Sequence, residues 1–351
     1  MSTTFTSDTF LDLVATTTKK FQRGKFSDIA KQFRNHYAMD LMRENKQSST
    51  GQAIQFNIAY RRSSQAAWVD LNQVLNATIE DFSATGSVPW KQCNAHWAIE
   101  EMSQAMNSGP EQLVNMMKMR RYKCFTALAD LFEAAWWAAP VSGAKTPYGL
   151  RYWIVKTGAS STFGFNGTTP SGFSDVGGLD PTAANYSDWK NGNATYVNVS
   201  KDDLVKLMRE AYVKTSFTPP FPYPSAEGDS PTKKKNTFRF YTNYTVLEQL
   251  EGIGENQNQN LGKDLAPMDG MIAFRGVPVV WVDYLASDTT NPVYGLNFDC
   301  WETHFLKGYF MKEQEPIRLP NQPLTVVTHV WNSMNYVCVN RKEGGFVLAT
   351  A

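Results

Sequence analysis

The last eighty or so residues alternate short apolar runs with turn signals, and this order constrains the fold more than any other part of the chain. The runs are rich in Val, Thr, Tyr, Phe and Trp and are separated by Gly, Pro, Asn or Asp; they cover residues 271–285, 292–301, 304–310, 324–331 and 335–340. Short bounded runs of β-branched and aromatic residues are typical of strands. We therefore predict a β-sheet region from about residue 270 to the end of the chain.

The composition is that of a folded protein with almost no net charge. The chain has 351 residues, of which 42% are hydrophobic and 19% charged, and its formal net charge is +1. This length suits one large domain or two modest ones. A near-zero charge offers no electrostatic footprint for wrapping nucleic acid, and it removes self-repulsion as an obstacle to association.

Targeting and redox signals are few. The four cysteines are far apart, which argues against a disulfide scaffold. The N-terminus has no basic region followed by an apolar core, so we do not expect a signal peptide. No stretch approaches the ~18 apolar residues of a membrane span. We expect a protein that is made and kept in a cytosol and has no membrane partner.

A hairpin is predicted between residues 51 and 100. Residues 54–60 alternate apolar and other side chains, as a half-buried strand does, and a return run covers residues 85–99. The excursion between them, residues 61–70, is largely polar. Because two strands without a core of their own are marginally stable in water, such a hairpin needs another surface to lie on.

A long helix is predicted over residues 109–139. Apolar residues recur there at a spacing of three and four, Pro110 suits a first turn, and Pro140 ends the pattern. The helix would be about 45 Å long. It carries a basic cluster, namely Lys118, Arg120, Arg121 and Lys123. This cluster is either a solvated, salt-bridged face or a surface that contacts DNA through phosphate charge alone.

The remaining segments are an N-terminal arm and a loop-rich middle region. Residues 1–50 have eight Lys or Arg against five Asp or Glu, and residues 26–42 carry apolar residues at about every fourth position. Residues 141–235 are rich in Gly, Asn, Thr, Ser and Pro, and within them residues 201–214 are predicted to form a helix. A strand at 238–242 and a short helix at 244–251 follow.

In this order the segments resemble the major capsid proteins of tailed bacteriophages, which have the Hong Kong 97-like fold. The resemblance covers residues 50–351, and four motifs carry it: Gly276-Val-Pro-Val-Val, Val293-Tyr-Gly-Leu-Asn, His304-Phe-Leu-Lys-Gly and the ending Asn340-Arg-Lys-Glu-Gly-Gly-Phe-Val-Leu. It implies an α+β fold with an N-terminal arm (1–50), an E-loop hairpin (51–100), a peripheral domain with a long spine helix (101–150 and 270–351), and an axial domain (151–269).

The function that the resemblance implies is structural. The subunit would assemble with itself as hexamers and pentamers into the icosahedral capsid of a virion, around double-stranded DNA, in the cytoplasm of a bacterial host. Neither catalysis nor a cofactor is implied. The resemblance places an intersubunit contact at the E-loop tip and on the arm, formed by Arg61, Arg62, Trp68, Val69, Phe26 and Phe33. The alternative for the tip is an ordinary surface hairpin with one tucked Trp.

Two departures from the family pattern shape the expected partners. Some relatives carry a scaffolding segment of about a hundred residues before the E-loop, whereas here the E-loop strand begins near residue 53. We therefore expect a separate scaffolding protein, together with a portal and a decoration protein. Some relatives cross-link through an E-loop lysine, and this chain has no lysine from Gly51 to Trp90. We do not expect that covalent chemistry.

Other functions have weaker support in the sequence. An encapsulin-type nanocompartment shares the fold and is the nearest alternative. A carbohydrate-binding protein or glycosidase is suggested by Tyr186, Trp189 and Tyr196, although the adjacent carboxylates of the chain make poor acid–base pairs. The spacings of Cys93 with His96 and of Cys300 with His304 occur at zinc sites, but ordinary burial explains them better. No nucleophile elbow or phosphate-binding loop is present.

Overall fold

The computed structural model of the protein describes residues 46–60, 68, 81, 83–106, 116–215, 238–257 and 273–350. The predicted helix of the arm, residues 26–42, lies outside this part of the chain. The strands are β1 (Lys46–Ser49), β2 (Ala53–Ala59), β3 (Ser83–Pro89), β4 (Lys91–Glu100), β5 (Gly164–Gly167), β6 (Asn191–Tyr196), β7 (Phe238–Thr242), β8 (Ala273–Phe274), β9 (Val277–Trp281), β10 (Val293–Asn297), β11 (Trp301–Leu306), β12 (Lys312–Glu313), β13 (Ile317–Leu319), β14 (Gln322–Cys338) and β15 (Gly345–Thr350). The helices are α1 (Glu101–Met106), α2 (Met116–Trp137), α3 (Leu150–Trp153), α4 (Leu204–Lys214), α5 (Tyr244–Gln257) and α6 (Arg341–Gly344).

The first sheet is organised around β14, a strand of 17 residues and so about 56 Å long. Strands β4, β11, β12 and β13 pair with it antiparallel, and β1 adds to β11 in parallel. The sequence predicted two separate runs here, 324–331 and 335–340. They are one strand because the polar residues between them, Asn332 and Ser333, continue the pairing with β4 and are buried.

Helix α2 packs on this sheet and confirms the predicted long helix from Met116 onward; residues 107–115 are outside the described chain. Its buried face includes Leu128, Phe132 and Trp136. The Trp136 ring meets the rings of Trp301 and Tyr336 edge-on, with centroids 4.9 and 4.7 Å apart. These large aromatic contacts hold the helix and the long strand together as two layers.

The second sheet has seven strands in the order β5-β6-β15-β10-β7-β9-β8. Helices α4 and α5 pack on it through a core that includes Leu207, Met208, Phe240 and Phe346. The predicted helix at 201–214 and strand at 238–242 are confirmed. Residues 270–351, which were predicted to belong with the long helix, supply strands to both sheets. The division of the chain into peripheral and axial domains therefore remains a prediction.

Among the described residues, no helix is both long enough and apolar enough to cross a membrane.

Candidate assembly surfaces

The hairpin of β2 and β3 is a two-stranded sheet of its own. Its register runs from Ala53 opposite Pro89 to Ala59 opposite Ser83. The alternation that predicted the strand is confirmed in three dimensions, because Ile54, Phe56 and Val88 are buried while their neighbours along the strands are more exposed. One face of the hairpin is therefore attached to the rest of the subunit.

The attachment is built around the ring of Phe56. This ring lies 6.0 Å from the Trp153 ring and 6.1 Å from the Trp189 ring, measured between centroids. It packs directly on Gly86 of the partner strand, where a Cβ atom would lie 2.3 Å from the ring. The backbone N–H of Ser87 donates to the carbonyl of Gly177 at 2.8 Å. The base of the hairpin thus finds its supporting surface in its own subunit.

Of the residues predicted to form the contact at the hairpin tip, the structure describes Trp68 alone. Trp68 has a fully exposed side chain, at 102% of the reference area. This exposure does not support a tucked Trp, and the intersubunit contact stays a prediction. Arg61, Arg62 and Val69, and Phe26 and Phe33 of the arm, lie outside the described residues. An exposed Trp on a hairpin is a candidate anchor, since Trp residues dominate the energetics of many interfaces.

Strand β1 attaches the end of the predicted arm to the first sheet. The Ser49 hydroxyl and the His304 Nδ1 atom are 2.7 Å apart, and the His304 Nε2 atom is 3.0 Å from a Glu302 carboxylate oxygen. The ammonium group of Lys46 lies 3.3 Å from the centroid of the Phe310 ring. Residue 46 is therefore held at the sheet edge, and His304, one of the residues with a zinc-like spacing, is used in this attachment.

The basic cluster of α2 is partly used within the subunit. The Arg120 guanidinium donates to the Ala98 carbonyl of β4, and burial lowers its pKa against the opposing charge of Glu100. The Arg121 Nε atom lies 2.6 Å from a Glu313 carboxylate oxygen. Lys118 and Lys123 are exposed on the helix. These contacts favour the salt-bridged interpretation for the two arginines, and contact of the cluster with DNA stays a prediction.

One exposed apolar surface was not predicted from the sequence. At the end of the first sheet where β4 enters α1 and β14 begins, Met102, Met106, Ile317 and Leu324 each expose about half of their area, at 53–54%. The ion pair of Arg318 with Glu101 lies among them. The sequence pattern does not indicate this surface, because its residues come from three separate segments of the chain. Exposed apolar patches of this kind are typical of association surfaces.

The chemistry of the other function classes finds little support in the described residues. The Trp189 side chain is buried and its indole N–H donates to the Val176 carbonyl at 2.9 Å, and Tyr196 is also buried, so neither is a platform for a sugar. No group of three or more His, Cys, Asp or Glu side chains that could hold a metal ion occurs in the described part of the chain. The four cysteines are free thiols.

Comparison with known proteins gives a clear result at the level of fold. No protein-family model matches the chain, and no curated protein matches it. The capsid of cyanophage A-1(L) is similar, with a TM-score of 0.60, 14% identity, and coverage of 93% of this chain and 96% of that one. The capsid of the native GTA particle has a TM-score of 0.59 at 10% identity, covering 95% and 96%.

A compartment protein shares the same fold. The holo-SrpI encapsulin complex of Synechococcus elongatus PCC 7942 has a TM-score of 0.51 at 10% identity, covering 93% of this chain and 91% of that one. Likeness at such low identity shows a common fold. Because the matches run through almost the whole of both chains, the predicted resemblance to tailed-phage capsid proteins and the mixed α and β class are confirmed.

Proposed function

We propose that this chain is the major capsid protein of a tailed phage, which assembles as hexamers and pentamers into an icosahedral shell around double-stranded DNA. The observation that carries the proposal is the match with capsid structures over more than nine-tenths of both chains. In this proposal β2 and β3 are the base of the E-loop, α2 is the spine helix, and the seven-stranded sheet is the core of the axial domain. The subunit is a structural protein and not an enzyme.

The physical basis of assembly is the multiplication of modest contacts. The hairpin base and β1 are fixed on the subunit body, so the segments beyond them start from defined positions. Each segment that crosses to a neighbour adds a weak contact, and many copies close the shell through their combined effect. The near-zero net charge limits repulsion between copies. A separate scaffolding protein, a portal and a decoration protein are further proposed partners.

An encapsulin-type compartment is the second candidate, and the similarity to the holo-SrpI complex is the observation in its favour. Its shell would hold a protein cargo, whereas a capsid would hold a genome. The contents of purified particles separate the two. The carbohydrate-binding alternative has less support, since two of the three aromatic residues that suggested it are buried.

The test is to express the chain and image its largest species by electron microscopy after size exclusion with light scattering. We expect closed particles, or free hexamers and pentamers. If the chain alone stays monomeric, co-expression with the neighbouring genes supplies a scaffold. A chain that forms no particles even then would refute the shell function. Co-purifying DNA would select the capsid and a protein cargo the compartment.

A further inference from the structure

An open apolar cavity lies between helix α2 and the first sheet. Its volume is about 150 Å³, and its walls include Leu131, Phe132 and Ala135 of the helix and Cys93 and Met334 of the strands. Apolar cavities of about this size accommodate a benzene ring. Leu131 exposes 49% of its area at the mouth. A leucine half-exposed at the mouth of an apolar cavity is poorly covered, and a partner side chain would remove both surfaces from water.

Among the described residues, Trp68 has the most exposed large apolar side chain, and its indole is flat and apolar like the space it would fill. The same copy does not use it to fill the cavity. The cavity is lined by Lys91, Gln92 and Cys93, just beyond the end of β3 at Pro89. In sequence, Trp68 follows Ala59, which lies at the opposite end of the hairpin, about 20 Å from Pro89 along the strands. The distance along the hairpin does not limit a second copy, whose indole can approach the cavity from outside.

The charges at the cavity suit an indole ring. Lys91 and Lys145 line the cavity along with its apolar walls. The Lys91 ammonium donates to the Ala144 carbonyl, which keeps it beside the mouth. An ammonium group is attracted to the face of an indole, so the two lysines favour an aromatic occupant of the cavity over an aliphatic one.

We propose that Trp68 of one copy inserts into the cavity formed by α2, β4 and β14 of a second copy, with its indole ring beside Lys91 and Lys145. This inference rests on the proposed shell function and assigns the surface that receives the hairpin tip. The contact joins two different patches of the molecule and is therefore heterologous. Heterologous contacts repeat from copy to copy and generate rings when the rotation closes, which is the symmetry that hexamers and pentamers require.

The test uses a thiol that the chain already has in the cavity wall. In W68C, the new thiol is expected to form a disulfide with Cys93 of the neighbouring copy when assembled shells are treated with copper–phenanthroline. Non-reducing electrophoresis should then show a ladder of covalent oligomers. Because burial raises the pKa of Cys93 to about 11, the exposed new thiol has to supply the reactive thiolate, and the reaction is run at pH ~8.5, near the pKa of an exposed cysteine. The matched control, W68C with C93S, should show no ladder.

A second readout avoids the geometric demands of a disulfide. Cys93 should react with a maleimide in free subunits and be protected in shells, and W68A should remove that protection from whatever oligomers it forms. Closed shells of W68C without the ladder, or W68A oligomers that still protect Cys93, would overturn the cavity assignment while leaving the shell function intact. If no particles form under any condition, the shell function itself fails, and the cavity assignment fails with it.

Discussion

At the scale of single residues, Arg341 is the side chain whose role is most dependent on tertiary structure. It is fully buried, and its guanidinium donates to the carbonyls of Trp153 and Trp189 at 2.8 Å and to that of Thr168 at 3.0 Å. It also donates to the Asn191 side-chain oxygen at 3.0 Å. Burial lowers its pKa to about 10. One cation thus connects α3, β6 and two loops to the end of the chain.

Replacing Arg341 by Met should destabilise the subunit by about 3 kcal/mol, because several buried carbonyls would lose their donor at once. Urea unfolding of the free subunit measures this destabilisation. Lys342→Met is the matched control, since Lys342 makes an exposed pair with Asp188 and a cation–π contact with Phe165, and exposed contacts of these kinds each contribute about 1 kcal/mol or less. Equal effects for the two variants would contradict the role given to Arg341.

The ion pairs and hydrogen bonds of Asp288 predict how the stability of the subunit depends on pH. Its carboxylate lies 2.6 Å from the Lys156 ammonium and 3.0 Å from the Arg151 guanidinium. Burial by itself would raise the pKa of Asp288, but hydrogen bonds from Lys156 and Thr290 outweigh it and lower the pKa. A lowered carboxyl pKa stabilises the folded state above the unfolded value of about 3.9, and this stabilisation is lost as the pH falls through the folded pKa.

Asp288→Asn should therefore reduce stability at pH 7 and flatten the dependence of the unfolding free energy on pH below about 4. Acid titration of unfolding, followed by circular dichroism, tests both effects. The matched control is Asp188→Asn, because Asp188 is 70% exposed and pairs only with Lys342 among the salt bridges of the described residues. The prediction fails if the two variants have the same pH profile.

At the scale of elements, the hairpin has two parts with different roles. Its base is held by Phe56, Gly86 and Val88 against the subunit, and its tip carries an exposed Trp68. We therefore expect the base to contribute to folding and the tip to association. Folding and association can therefore be tested separately, because the tip can be altered without disturbing the buried base.

Deleting residues 61–70 should leave the unfolding free energy of the subunit nearly unchanged and abolish closed shells. Urea unfolding and electron microscopy measure the two outcomes. A Gly/Ser replacement of the same ten positions, at unchanged length, distinguishes loss of reach from loss of the side chains. Particles of normal shape from the deletion variant would refute the assignment of this segment as an E-loop.

At the scale of the whole molecule, the charge balance limits how the proposed shell could hold DNA. The net charge is +1, so attraction to phosphate has to come from a local surface. Lys118, Arg121 and Lys123 are exposed on α2, whereas Arg120 is half-buried and donates to β4. In the proposed capsid, we expect Lys118 and Lys123 to contact DNA phosphates if α2 faces the lumen.

The double variant K118Q/K123Q should form shells normally but retain less double-stranded DNA. Its binding should also depend less steeply on salt, with a log–log slope smaller by about 0.9 for each phosphate that the variant no longer neutralises. Filter binding of shells at several salt concentrations measures this slope. The control is K201Q/K206Q, at exposed positions beside and on α4. Identical slopes for both variants would place the DNA-binding surface elsewhere.

The positions of several helices and strands were determined by the sequence alone. The patterns predicted a strand at 54–60, a helix at 201–214 and a strand at 238–242, and the structure has Ala53–Ala59, Leu204–Lys214 and Phe238–Thr242. Such elements are predictable because the period of the apolar residues along the chain is a local property. The order of these elements carried the resemblance to capsid proteins in the same way.

Tertiary structure alone decided which strands share a sheet and which surfaces stay open. Strands β10 and β15 pair in the second sheet, while β11 and β14, which lie between them in sequence, form the first. The burial of Arg341, the cavity beneath Leu131 and the apolar surface at Met102 also depend on segments far apart in sequence. Pairing and burial are set by non-local contacts, which the periodicity of a single segment does not encode.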